Sequence, residues 1–152
     1  MICINTEPLE NVSIYHKRKL QYYLKEACVY LNIEQPKLEF IDDYTNSHYP
    51  YWKKTITIGS KNMLKRRQNY IEPYINFEFK NYFSALIFTL FHELGHHIQF
   101  IKYPRSTQKH WDDIKKKWGT LNRKTYRDHL FESRADKIAI FLTKKYTKEY
   151  YV

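Results

Sequence analysis

The sequence predicts an α+β domain that is mostly helical, and three observations carry that prediction. Apolar residues recur at helical spacing through three long stretches, residues 10–32, 76–102 and 125–146. Two short stretches, residues 37–41 and 51–58, alternate instead with the period of a strand. At 152 residues, 43% of them hydrophobic, the chain is the size of one packed domain, residues 1–152.

In the first helix Asn11 or Ser13 can act as N-cap, and Leu20, Leu24, Ala27, Cys28 and Leu31 form one apolar stripe. His16 stands beside Lys17 and Arg18 and is expected to face solvent. Gln35-Pro36 ends the segment, because a residue before proline avoids helical dihedrals. Leu38 and Phe40 then share one face of the first strand. Residues 42–50 are turn-rich, and Thr55-Ile56-Thr57-Ile58 makes a second strand of high β propensity, closed by Gly59-Ser60. Its free edge could pair with an extended peptide. Residues 61–76 read as loop with a short helix.

The central helix carries Phe83, Leu86, Ile87, Leu90, Leu94, Ile98 and Ile101 around much of its circumference, which places it in the core. Gly95 within it is a poor helix former and suits a point of close approach by another backbone or a ligand. Tyr103-Pro104 ends this helix, residues 107–118 form a shorter one, and Gly119-Thr120 breaks the chain again. His110, Trp111 and Trp118 are candidates to line a cleft. The last helix, residues 125–146, has Phe131, Ile138, Phe141 and Leu142 as its apolar residues.

Two cysteines, Cys3 and Cys28, are too few for a disulfide framework, and neither a secretory leader nor a membrane span is evident. A cytoplasmic protein without membrane contact is the expectation. The net charge of +10 raises a nucleic-acid partner as one possibility. The cations are dispersed over Lys17-Arg18-Lys19, Lys65-Arg66-Arg67, Lys115-Lys116-Lys117 and Lys144-Lys145, which favours an ordinary solvated surface.

Chemistry concentrates in the middle of the central helix. His92-Glu93-Leu94-Gly95-His96 has the form H-E-x-x-H, which sets two imidazoles one turn apart on one helical face with a glutamate beside them. Such a pair can begin a Zn²⁺ site, and burying it unpaired would cost several kcal/mol. A catalytic zinc needs a third protein ligand. The extended pattern with a third histidine six residues on is absent, because Lys102 stands there. Glu132 fits best: Ala135 and Ala139 allow close helix approach, and Asp136 adds a carboxylate one turn on to accept a ligand histidine's free N–H. Asp112 and Asp113 are the competing carboxylates.

The pattern Phe88-Thr89-Leu90-x-His92-Glu93-Leu94-Gly95-His96, followed by Glu132-x-x-Ala135-Asp136-x-x-Ala139, resembles the ImmA/IrrE family of zinc metallopeptidases within the gluzincins. The motif-bearing part is about a third of the chain. The resemblance implies a zincin-like domain with helices beside a small antiparallel sheet. It implies His92, His96 and Glu132 as zinc ligands, Glu93 as general base, and Asp136 orienting His92. It further implies cleavage of a protein substrate, a repressor-type transcription factor. Phe91 stands where a small residue is usual, which is expected to narrow the cleft.

Peptide hydrolysis at such a site needs an oxyanion stabiliser, and His129, Tyr126 and Tyr103 are the candidates. An extended substrate is expected along residues 55–58. Two other readings compete. One is a zinc-stabilised protein that binds a transcription factor or DNA without turnover. The other is a SprT-like protease acting on DNA-bound proteins, which shares H-E-x-x-H and basic charge.

Overall fold

The computed structural model describes residues 12–41, 47–50 and 52–147. Asn11, the start of the first helix at residue 10, Cys3, Tyr51 and residues 42–46 of the turn-rich segment lie outside them. The first helix, α1 (Ile14–Leu31), begins where the Ser13 hydroxyl accepts the His16 N–H at 3.1 Å. It ends at Asn32 in the left-handed region, φ 53°, with the Asn32 N–H bonded to the Cys28 and Val29 carbonyls. His16 does not face solvent freely: it is half-buried and stacks on Phe83 at 4.8 Å.

The strands are β1 (Lys37–Ile41) and β2 (Thr55–Gly59), and they pair in parallel from Lys37 opposite Thr55 to Ile41 opposite Gly59. The sheet is therefore parallel, not antiparallel. Parallel neighbours need a crossover of about a dozen residues or more, and residues 42–54 provide it. Within that crossover His48 and Thr57 exchange both main-chain hydrogen bonds at 2.9 Å, an antiparallel bridge on the other edge of β2. Thr57 is thus paired on both sides, and the edge expected for substrate is taken by the chain itself.

Residues 61–76 are more ordered than the sequence suggests, forming α2 (Met63–Tyr70) and a 3₁₀ turn at Glu72–Tyr74. The central helix α3 (Tyr82–Lys102) starts at a reciprocal cap: Asn81 accepts the Ser84 N–H at 2.8 Å, and Ser84 accepts the Asn81 N–H at 3.2 Å. Every residue from Phe83 to Gln99 is buried. Leu20, Leu24 and Ala27 of α1, Ile56 and Ile58 of β2, and Ala139 and Leu142 near the chain's end share its core.

The fourth helix, α4 (Pro104–Lys117), follows α3 with only Tyr103 between them, proline filling a first-turn position that needs no N–H. The last predicted helix is two: α5 (Arg123–Asp128) and α6 (Leu130–Tyr146). His129 separates them in an extended conformation, φ −61° and ψ 137°. The α6 helix packs most extensively on α3. Among the described residues no helix is long and apolar enough to cross a membrane.

Candidate metal centre

Two helices assemble the centre. On α3 the four-residue spacing stacks His92 and His96 on one face, and their Nε2 atoms lie 3.2 Å apart. On α6 Glu132 occupies the first turn, where an acidic side chain complements the helix dipole. The helices meet at Gly95 and Ala135, where a Cβ added to Gly95 would lie 3.0 Å from the Ala135 Cα. That close approach carries Glu132 onto the histidines: Oε2 is 3.0 Å from His92 Nε2 and Oε1 is 3.5 Å from His96 Nε2. All three residues are buried, and their donor atoms fall within 4.8 Å of one another. This group can hold a metal ion.

The surrounding groups orient the donors. Asp136 Oδ1 lies 2.8 Å from His92 Nδ1, although the ring N–H aims off the line joining them. Gln99 joins the two halves, with Oε1 at 2.9 Å from His96 Nδ1 and Nε2 donating to the Phe131 carbonyl at 3.1 Å. The His96 ring stacks on Phe131 at 4.1 Å. Arg127, at the end of α5, donates to Asp136 Oδ1 and places its other terminal nitrogen 3.4 Å from Glu132 Oε2.

Electrostatics follow from this crowding. Burial disfavours a charged His92, but Glu132 and Asp136 outweigh it and carry its pKa to about 10. Burial likewise opposes the Glu132 carboxylate, and the two histidines still hold it well below the ordinary carboxylate range. Desolvation works against the Arg127 cation as well, and Asp136 and Glu132 raise its pKa regardless. Four ionisable side chains in an apolar interior are tolerable because each faces an opposite charge.

The centre opens on a cleft of about 410 Å³, within the size range of small-ligand and peptide pockets. Glu93 lines it, buried, and makes no hydrogen bond to another described residue. Its carboxylate is therefore available to a group in the cleft. Trp111 and Trp118 line the cleft as expected, and His110 does not. Ser47 to Pro50 form part of the rim, held by the Tyr49 hydroxyl donating to His97 Nδ1 while His97 Nε2 donates to the Glu34 carbonyl at 2.8 Å. His97, next to the motif, is thus a structural residue.

The chain matches no known family model, no curated protein and no solved structure.

The three proposed oxyanion groups separate clearly. Tyr126 lines the cleft and donates to Glu132 Oε1 at 3.2 Å. Burial and the Glu132 charge raise its pKa, so it stays a hydroxyl donor. His129 is not at the cleft: it caps α6, accepting the Phe131 N–H on Nδ1 and donating from Nε2 to Asp113 at 2.9 Å. That bond also accounts for Asp113, which faces α6's cap rather than the histidine pair. Tyr103 is 65% exposed at the α3–α4 junction and does not line the cleft. Phe91 turns away from the cleft into the core against Tyr146, so it leaves the opening unaffected. Sequence reasoning missed Arg127, Arg67, Gln99 and the Ser47–Pro50 rim. Gln99, three residues after His96 on one face, was the only one with a local signal.

Proposed function

We propose that the protein is a zinc-dependent endopeptidase. The observation that carries this reading is the triangle of donors from His92, His96 and Glu132 beside an unpartnered Glu93 in an open cleft. Ligands about 2.0–2.1 Å from a tetrahedral zinc stand roughly 3.3 Å from one another. The separations of 3.2, 3.0 and 3.5 Å, the last two to different oxygens of Glu132, are of that size, and the cleft leaves a fourth direction open. Two histidines and one carboxylate are also a donor set that zinc hydrolases use.

A bound Zn²⁺ supplies Lewis acidity, polarising a scissile carbonyl and acidifying water beside it. Glu93 takes the proton from water and returns it to the leaving nitrogen, acting as general base and then general acid. Of the three candidate donors only Tyr126 lines the cleft, and to support an oxyanion its single O–H must turn from Glu132 Oε1 to the substrate. Asp136 and Arg127 hold His92 and Glu132 in position. Because Thr57 already pairs with His48, an extended substrate runs along the outer side of the Ser47–Pro50 rim instead of along β2. The ImmA/IrrE resemblance gives the same ligand set and points to an intracellular protein substrate, a repressor-type regulator.

The test has two parts. Elemental analysis of purified protein should find one zinc per chain, lost in His92→Ala and in Glu132→Ala. Zinc content unchanged in both variants removes the assignment. Glu93→Gln should retain zinc and abolish release of fluorescent fragments from labelled casein, whereas activity equal to wild type would eliminate Glu93 as the base.

A further inference from the structure

A second cation faces the same cleft and has no assigned partner. Arg67, on α2, lines the cleft, and its Nε donates to the Thr89 hydroxyl at 2.8 Å. Thr89 in turn donates to the Ala85 carbonyl at 2.8 Å, so the anchor is fixed to the α3 backbone. Thr89 also precedes Glu93 by one helical turn on the same face. Arg67 therefore sits one turn along the cleft from the general base. Guanidinium carries five N–H donors, and only the one on Nε is used. No carboxylate among the described residues lies within ion-pair distance of Arg67. Arg127, the other arginine at the cleft, is committed to Glu132 and Asp136.

Arg67 is half-buried beside apolar Phe88 and Ile71, so its guanidinium faces the cleft with little else to pair with it. Burial, then Arg66 and Arg127, lower the Arg67 pKa to about 10 against the opposing pull of Glu93 and Asp136, so it is still charged at neutral pH. The planar fork of a guanidinium matches a carboxylate bidentately. We propose that Arg67 is a specificity residue, binding a carboxylate of the peptide substrate close to the bond that is cut. An Asp or Glu side chain fits the endopeptidase reading, whereas a chain terminus held there would make the enzyme a carboxypeptidase instead. This inference rests on the peptidase reading for its substrate class, and its test reads binding without turnover.

The probes are three blocked dipeptides on one framework: acetyl-Phe-Ala with a free terminal carboxylate, acetyl-Phe-Ala-amide, and acetyl-Phe-Glu-amide. Zinc-loaded Glu93→Gln protein is titrated with each, following the fluorescence of Trp52, Trp111 and Trp118 at the cleft. One anionic probe should bind about tenfold to a hundredfold more tightly than the neutral amide, as a charge-assisted bidentate pair implies. Which anionic probe wins identifies the source of the carboxylate. Adding Arg67→Gln should remove the preference while zinc affinity stays unchanged. Arg67→Lys, which keeps the charge without the fork, should retain only part of it, and this milder variant reads out the proposal even if Arg67→Gln folds poorly. Equal binding of all three probes, no binding of any at 10 mM, or a preference that survives Arg67→Gln overturns the proposal. A preference that depends on Arg67 in a wild-type protein that cuts no peptide would retain this site and refute the peptidase reading alone.

Discussion

Gly95→Ala tests whether helix approach sets the metal site. The new Cβ would lie 3.0 Å from Ala135 Cα, 3.2 Å from Ala135 Cβ and 3.3 Å from Ala135 O. Carbon atoms at rest stand about 3.5–4.0 Å apart, so α6 must retreat by roughly 0.5 Å. The obstacle is the backbone of a packed helix, which cannot swing aside as a long side chain would. Glu132 lies one turn before Ala135 and moves with it. Metal–ligand distances tolerate only about 0.2 Å, so the carboxylate leaves its ligating position. Stability changes little by comparison: alanine in a helix gains about 1 kcal/mol over glycine, against roughly 1–3 kcal/mol for overpacking. We expect zinc affinity, measured by competition with a chromophoric chelator, to fall at least about tenfold while thermal unfolding shifts by only a few degrees. Ala135→Gly added to this variant should restore affinity only in part, because it removes the 3.2 Å contact and leaves the one at 3.0 Å. Wild-type zinc affinity in Gly95→Ala would refute the argument.

Other consequences are open to direct measurement. Asp136→Asn keeps the side-chain shape but removes the charge beside His92, and chelator competition should show zinc binding weakened about 10–100-fold. Zinc at a hundredfold excess over its dissociation constant should stabilise the fold by about 2.7 kcal/mol, raising the melting temperature by roughly 5–10 °C in calorimetry. The same zinc should leave Glu132→Ala almost unmoved. Burial pushes the Cys28 thiol up to about 11 from 9.0. Its raised value contributes stability that is fully present below pH 9 and lost as pH climbs through 11, roughly 3 kcal/mol in all. Urea unfolding between pH 8 and 11 should reveal that loss in wild type, and Cys28→Ala should lack it.

The sequence was most informative where one helix buries itself. The apolar circumference of α3, its histidine spacing and its lone glycine are local features, and the structure places Ala135 against that glycine. The Glu132 position was legible for a related reason: alanines at 135 and 139 mark the flank of a helix that lies close to another. Strand direction was not legible. Residues 37–41 and 55–58 state that they are strands, but the path of the crossover decides which way the second one runs. The break at His129 carries no proline or glycine, so periodicity alone ran α5 into α6. That error left His129 inside a helix as a candidate oxyanion stabiliser, whereas its extended backbone turns it to Asp113. Arg67 and Arg127 have no spacing relation to the motif, since each comes from another helix and arrives only through tertiary packing.

The segment bearing both histidines is the most enclosed part of the molecule, wrapped by α1, β2 and α6 before any ion is considered. Assembly of the cage therefore draws on oily packing, with carboxylates and a guanidinium balancing the imidazoles meanwhile. On the zinc reading proposed above, completing the fold and acquiring the metal would be two separate events, and a chain short of zinc would stay folded and idle until the ion arrived.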